Sequence, residues 1–140
     1  MKKKYSGSCH CGAVAFECEA DLETGTSKCN CSMCRKGRFW NALVPEAEFK
    51  LIRGAEMLTD YQFGDKRIHH LFCRRCGIKP FGRMHLDVTF QGEKLSGEYY
   101  AVNVACLDNA TDEELSAASV RFDDGRNDDW GHAPDETGYL

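Results

Sequence analysis

Seven cysteines in three tight groups constrain this chain more than any other feature. Cys9 and Cys11 stand in "SCHCG", Cys29, Cys31 and Cys34 in "CNCSMCRKG", and Cys73 and Cys76 in "FCRRCG". Spacings of two and three residues suit metal ligands, because a short turn then presents two sulfurs to one ion. The total of nine cysteines is odd, and a disulfide framework would need an oxidising compartment. The remaining two, Cys18 and Cys106, fall in apolar strand-like stretches and read as buried inert thiols.

Zinc binds thiolate at about 2.3 Å and favours four ligands in a tetrahedron. In "CRRCG" the glycine, Gly77, can take the positive φ that such a knuckle needs, and Gly12 follows "CHC" in the same way. Each pair supplies half a tetrahedron. Joined across roughly 60 residues, Cys9, Cys11, Cys73 and Cys76 make a closed structural site tying the N-terminal segment to the middle of the chain. A site of this type contributes on the order of 10 kcal/mol of apparent binding free energy to folding.

The central group, Cys29, Cys31 and Cys34, offers three ligands to a second ion. Three protein ligands and an open position is the pattern of a catalytic zinc. Closure by a distant side chain is the alternative, from His10, His69, His70, His85, Cys18 or Cys106. Of these, His69 and His70 lie on a strand leading into the "FCRRCG" knuckle. Spacing alone leaves both open. An iron–sulfur cluster would need a fourth thiolate and a different spacing.

Period-two alternation in "GAVAFECE" puts Val14, Phe16 and Cys18 on one face of a half-buried strand. "FWNALV", "EFKLIRG", "LTDYQF", "EYYAVNVACL" and "VRFDD" read as further strands, the last ending in an Asp124–Gly125 turn. "RIHHLFCRRCGIKPFGRMH" reads as a hairpin whose turn is the metal knuckle. "TDEELSAA" carries a capping box, Thr111 with Glu114, and gives one short helix. The expected class is mostly antiparallel β, one domain over residues 1–140 with a core from about 5 to 125 and a polar tail over 126–140. No apolar run approaches the ~18 residues of a membrane span. A net charge of −4 argues against nucleic acid. The basic start "MKKKY" is followed by no apolar stretch, so a cytoplasmic location is expected.

"GSCHCGAV", "CNCSMCRK" and "FCRRCG", in this order, resemble the glutathione-dependent formaldehyde-activating enzyme family, which also includes centromere protein V. "YYAVNVACLD" and "VRFDDGRNDDW" resemble the C-terminal strands of bacterial members. Where many members carry threonine after the Cys-x-x-Cys-Gly, this chain reads "GIKPFGR". The resemblance implies a zinc-binding β-tent, two antiparallel sheets meeting at a structural zinc. It implies two zinc ions per chain, one on Cys9, Cys11, Cys73 and Cys76, and a catalytic one on Cys29, Cys31 and Cys34. Water or a substrate thiol then takes the fourth place.

The implied activity is of carbon–sulfur lyase type, on an adduct of a thiol such as glutathione with a small aldehyde. Zinc-bound thiol is deprotonated, and its sulfur can add to a carbonyl. A tripeptide thiol carries two carboxylates, so Arg35, Lys36 and Arg38, immediately after Cys34, are candidates to meet them, with Lys79 and Arg83 next. The alternative function is a non-catalytic zinc module that binds another protein, since fold does not fix function. Methionine-R-sulfoxide reductase shares the architecture but needs a cysteine nucleophile outside zinc, for which only Cys106 stands free in sequence.

Overall fold

The computed structural model describes residues 1–140. Along it run β1 (Lys3–Ser8), β2 (Ala15–Ala20), β3 (Thr26–Cys29), α1 (Ser32–Gly37), β4 (Trp40–Pro45) and β5 (Phe49–Arg53). There follow β6 (Leu58–Tyr61), β7 (Ile68–Cys73), β8 (Phe81–Phe90), β9 (Glu93–Asn103), α2 (Asp112–Ala117) and β10 (Val120–Asp123). The protein is mostly β, in two sheets. The smaller has the order β1-β2-β5, the larger β10-β3-β4-β9-β8-β7-β6.

Alternation along β2 buries Phe16 and Cys18 at 1% and 2% exposure, as the period of two requires. The two sheets are joined by aromatic rings. Phe49 of the small sheet stacks on Tyr100 of the large one at 3.8 Å between centroids and meets Phe81 edge-on at 4.9 Å. Phe16 meets the same Phe81 at 5.7 Å. Close approach is needed where β1 crosses this core: a Cβ on Gly7 would run into the Phe16 ring and the carbonyl of Cys106. Glycine at that position lets β1 lie over the ring and form its bridge to Leu107.

Four details differ from the sequence expectation, the last at the end of β9. A second helix, α1, occupies the central cysteine loop, where only α2 was expected. Its cause is local: Cys31 caps it, its sulfur accepting from the Cys34 N–H at 3.4 Å, and a spacing of three is close to one helical turn. The large sheet is not wholly antiparallel, because β10 returns after α2 to lie parallel to β3, with Asp123 opposite Cys29. Asp124–Gly125 does not make a two-residue hairpin turn. It opens a short 3₁₀ turn, Gly125–Asn127, and the Asp124 N–H donates to the carbonyls of Asp129 and His132.

The strand through "YYAVNVACL" stops at Asn103, whose side chain accepts from the Ala105 N–H at 3.1 Å and starts a 3₁₀ turn over Val104–Cys106. The capping box of α2 forms as read, with Thr111 and Glu114 bonded reciprocally. No helix is long and apolar enough to cross a membrane.

Candidate metal centre

The fold gathers the seven cysteines into two clusters. Within each, the sulfurs lie within 4.8 Å of one another. Cys9, Cys11, Cys73 and Cys76 form the first. Cys9 and Cys11 follow the end of β1 in the small sheet; Cys73 ends β7 in the large one, and Cys76 sits on the turn beyond it. Cys9–Cys11 and Cys11–Cys73 are both 3.7 Å apart between sulfurs. Sulfurs at 2.3 Å from a tetrahedral zinc stand about 3.8 Å from each other. The donor set therefore fits zinc in both chemistry and spacing.

Local backbone prepares these sulfurs for a cation. Gly12 and Gly77 both take φ +78°, as expected for the two knuckles. The Val14 N–H donates to Cys9 Sγ at 3.3 Å. Backbone N–H groups, that of Cys76 first, hold the Cys73 thiol below its ordinary range. Burial pushes Cys76 up, but the N–H groups of Cys11 and Ile78 outweigh it and leave the thiol at about 6. Hydrogen bonds to the charged form favour thiolate, which is the form that binds metal.

The second cluster is Cys29, Cys31 and Cys34. Cys29 is the buried last residue of β3; Cys31 caps α1 and Cys34 lies on its first turn. The Cys31 N–H donates to Cys29 Sγ at 3.3 Å. Hydrogen bonding from Cys29, then from Cys34, pulls the Cys31 thiol far down, while Cys29 and Cys34 are pushed up by the same sharing. Within the cluster, thiolate is thus favoured first at Cys31. No fourth Cys, His, Asp or Glu joins this group.

The proposed closers of that site lie elsewhere or fall short. His69 is bonded to Asp60 at 2.6 Å, and His85 to Glu98 at 3.1 Å. Cys18 and Cys106 are buried, and burial raises both thiols to about 12. His10 is exposed. His70 comes nearest in kind: it is buried at 5% exposure and feels the charge of Cys31. Its Nδ1 instead accepts from Lys79 Nζ at 2.7 Å.

Lys79 lies against the loop of the second cluster although it follows the knuckle of the first. Its Nζ stands 4.0 Å over the Phe39 ring, and Phe39 is tied to α1 by its N–H to the Cys34 carbonyl. Cys34 and Cys31 are the charges it feels. Burial lowers this ammonium to about 8, and burial together with the Lys79 charge lowers His70 to about 4. Arg35 and Arg38 are exposed, and Arg38 Nη1 donates to the Tyr139 carbonyl at 3.1 Å. The tail is thus bonded at its end, with Lys28 Nζ also 3.4 Å from the Leu140 carbonyl.

Residues that sequence reasoning passed over brace the loop. Asn30, buried at 3% exposure, donates to Asp124 at 2.8 Å and accepts from the Arg126 N–H at 3.0 Å. A Cβ on Gly125 would stand 2.5 Å from Cys29 Sγ and 2.6 Å from the Trp130 ring. The one clue was an asparagine enclosed in Cys-x-Cys; nothing in "DDGRN" announces its partner.

Comparison with known proteins identifies the family. The family model described as glutathione-dependent formaldehyde-activating enzyme matches residues 4–122. A Halomonas elongata protein, provisionally named as such an enzyme, is 34% identical over 82 residues, covering 50% of each chain. The chain spans about half the length of that curated relative. A crystal structure of a Rhodobacter sphaeroides protein, 34% identical, superposes with a TM-score of 0.65 over 83% of this chain and 99% of that one. This chain belongs to the glutathione-dependent formaldehyde-activating enzyme family.

Proposed function

We propose that this protein is a zinc-dependent enzyme of carbon–sulfur lyase type, joining and splitting a thiol such as glutathione and a small aldehyde. The observation that carries the reading is the second cluster, three sulfurs with no fourth protein ligand, set beside a half-buried cation. Family membership supports the same chemistry. Cys9, Cys11, Cys73 and Cys76 would hold a structural zinc, and Cys29, Cys31 and Cys34 a second. When bound there, the second ion supplies a place where a thiol is held as thiolate at neutral pH.

The chain's own residues then have separable tasks. Cys31 and Cys34, both partly exposed, turn the cluster toward solvent while Cys29 anchors it in the sheet. Phe39, buried against the cluster loop, excludes water from one side. Arg35 and Arg38 are the exposed cations proposed to meet the carboxylates of a tripeptide thiol. In the reaction, sulfur bonds to the carbonyl carbon and the proton finishes on oxygen, with no change of oxidation state. Exchange NMR on glutathione and carbon-13 formaldehyde tests this directly. Zinc-loaded protein should speed the exchange of adduct with its components, and Cys31→Ser should not. Exchange at the uncatalysed rate with the intact, doubly loaded protein would overturn the reading.

A further inference from the structure

Lys79 is an ammonium in an unusual setting. It is partly buried and makes no ion pair with a carboxylate; its one hydrogen-bond partner is the neutral ring nitrogen of His70, 2.7 Å away. A half-buried ammonium with no carboxylate partner is unfavourable unless something anionic lies near it, and the charges within its reach are those of the cysteine cluster. Its position is also fixed with care. The Lys79 carbonyl accepts from Asn103 Nδ2 at 2.9 Å, and the next carbonyl, of Pro80, accepts from the Asn103 N–H at 2.9 Å. Its side chain lies across Gly82, where an added Cβ would already touch Cε and Nζ at 3.5 and 3.6 Å. Phe39 lies under the ammonium, and the Phe63 ring stacks on His70 at 5.4 Å. Phe39 and His70 thus hold a single cation against the loop of the three-sulfur cluster, and Phe63 backs the histidine.

Arg35 and Arg38 cannot fill this place. Both are exposed, and an exposed guanidinium suits a carboxylate at the rim. What develops charge at the reacting centre is the carbonyl oxygen, and a pre-placed donor in a water-poor site is most effective there.

We propose that Lys79 is a catalytic residue of this site, donating a hydrogen bond and then a proton to the aldehyde oxygen, with His70 as its positioning residue. The inference rests on the thiol–aldehyde reading above. In the forward direction the substrate sulfur forms its bond to the carbonyl carbon, and the π pair moves to oxygen. Oxygen takes a proton from Lys79 Nζ, and solvent returns one to the amine. In reverse, the neutral amine takes the hydroxyl proton as the carbon–sulfur bond breaks and the carbonyl re-forms. No oxidant or reductant is required.

Lys79→Gln in the doubly zinc-loaded protein tests the role, with the adduct-exchange rate measured for glutathione and for 2-mercaptoethanol. Removing one oxyanion donor lowers kcat about 10²–10³-fold. A loss of that size, equal for both thiols and with thiol binding to a cobalt-substituted centre unchanged, is expected. A loss confined to glutathione, with weaker binding, would make Lys79 a carboxylate anchor and overturn the proposal. An unchanged rate would overturn it as well. His70→Asn, which can still offer an acceptor near Nδ1, should retain most of the rate that His70→Leu loses; equal losses would remove His70 from the positioning role.

A second readout does not depend on turnover. In protein carrying nitrogen-15 lysine, the Lys79 Nζ signal, assigned by its absence in Lys79→Arg, should move when formaldehyde is added to the glutathione-saturated protein. Glutathione alone should move it less. A signal indifferent to formaldehyde overturns the proposal even if Lys79→Gln proves unstable. Wild-type protein that binds no thiol and shows no exchange would instead overturn the underlying functional reading, and this proposal with it.

Discussion

Cys76→Ser should untie the two sheets. Cys76 is only partly buried, so the change empties little core volume; the fully buried Cys73 would confuse ligand loss with a cavity. The first cluster brings together Cys11 and Cys73, 62 residues apart in sequence. Treated as a cross-link, closing a loop of that length restricts the unfolded chain by about 4 kcal/mol. Total stability of a typical domain is only about 5–15 kcal/mol. A serine hydroxyl is a poor zinc ligand, so the variant should lose this ion to mild chelator and melt roughly 10–20 °C lower.

Cys31→Ser makes the contrast. The parallel pairing of Cys29 with Asp123 and the bonds of Asn30 do not involve the Cys31 sulfur. The variant should fold, keep one zinc, melt within a few degrees of wild type and lose thiol binding. Zinc content and thermal melting, with and without chelator, measure both variants. If Cys31→Ser falls as far as Cys76→Ser, the second centre is structural and the division of labour is wrong. A Cys76→Ser protein that melts like wild type would refute the cross-link reasoning itself.

Gly125→Ala should disturb the second centre alone, because its methyl would press on Cys29 Sγ and Trp130. Chelator competition should show the second zinc lost at least ~10-fold more readily, with the first unchanged. Replacing Arg35 and Arg38 together should weaken glutathione more than a neutral thiol in cobalt-monitored titrations; equal weakening would remove both from recognition. Glu114→Gln should lower the melting temperature, since Glu114 receives Lys3 Nζ at 2.7 Å, the Thr111 N–H at 2.8 Å and Tyr5 Oη at 3.1 Å. The Lys3 contact, then the Thr111 N–H, holds this carboxyl down at about 2. A depressed carboxylate stabilises the fold above its unfolded pKa of about 4.3 and loses that contribution as pH falls toward 2. The gap between wild type and Glu114→Gln should therefore be the same at pH 7 and pH 5.

Much of the cysteine clustering was legible because each group is local in sequence. Cys-x-Cys and Cys-x-x-Cys are read directly, and Gly12 and Gly77 carry their backbone requirement with them. The capping box of α2 was equally plain. What escaped was either masked or long-range. Ligand-like spacing masked α1, since an interval of three from Cys31 to Cys34 suits a metal site and a helical turn alike. The clamp of Asn30 on Asp124 spans 94 residues, and the Lys79–His70 pair depends on how β7 and β8 lie against the cluster loop. A candidate cation at Lys79 could be named from "GIKPFGR"; its burial against Phe39 could not.

Zinc-edge X-ray absorption, with and without glutathione, bears most directly on the three-ligand second centre. A closed four-sulfur site beside an open three-sulfur one gives about 3.5 sulfurs per zinc on average. Saturating glutathione should raise this to about 4 in wild type, and Cys31→Ser, retaining only the structural ion, should not respond. Four sulfurs per zinc before any thiol is added, or no change at millimolar glutathione, would contradict an open thiol-binding centre.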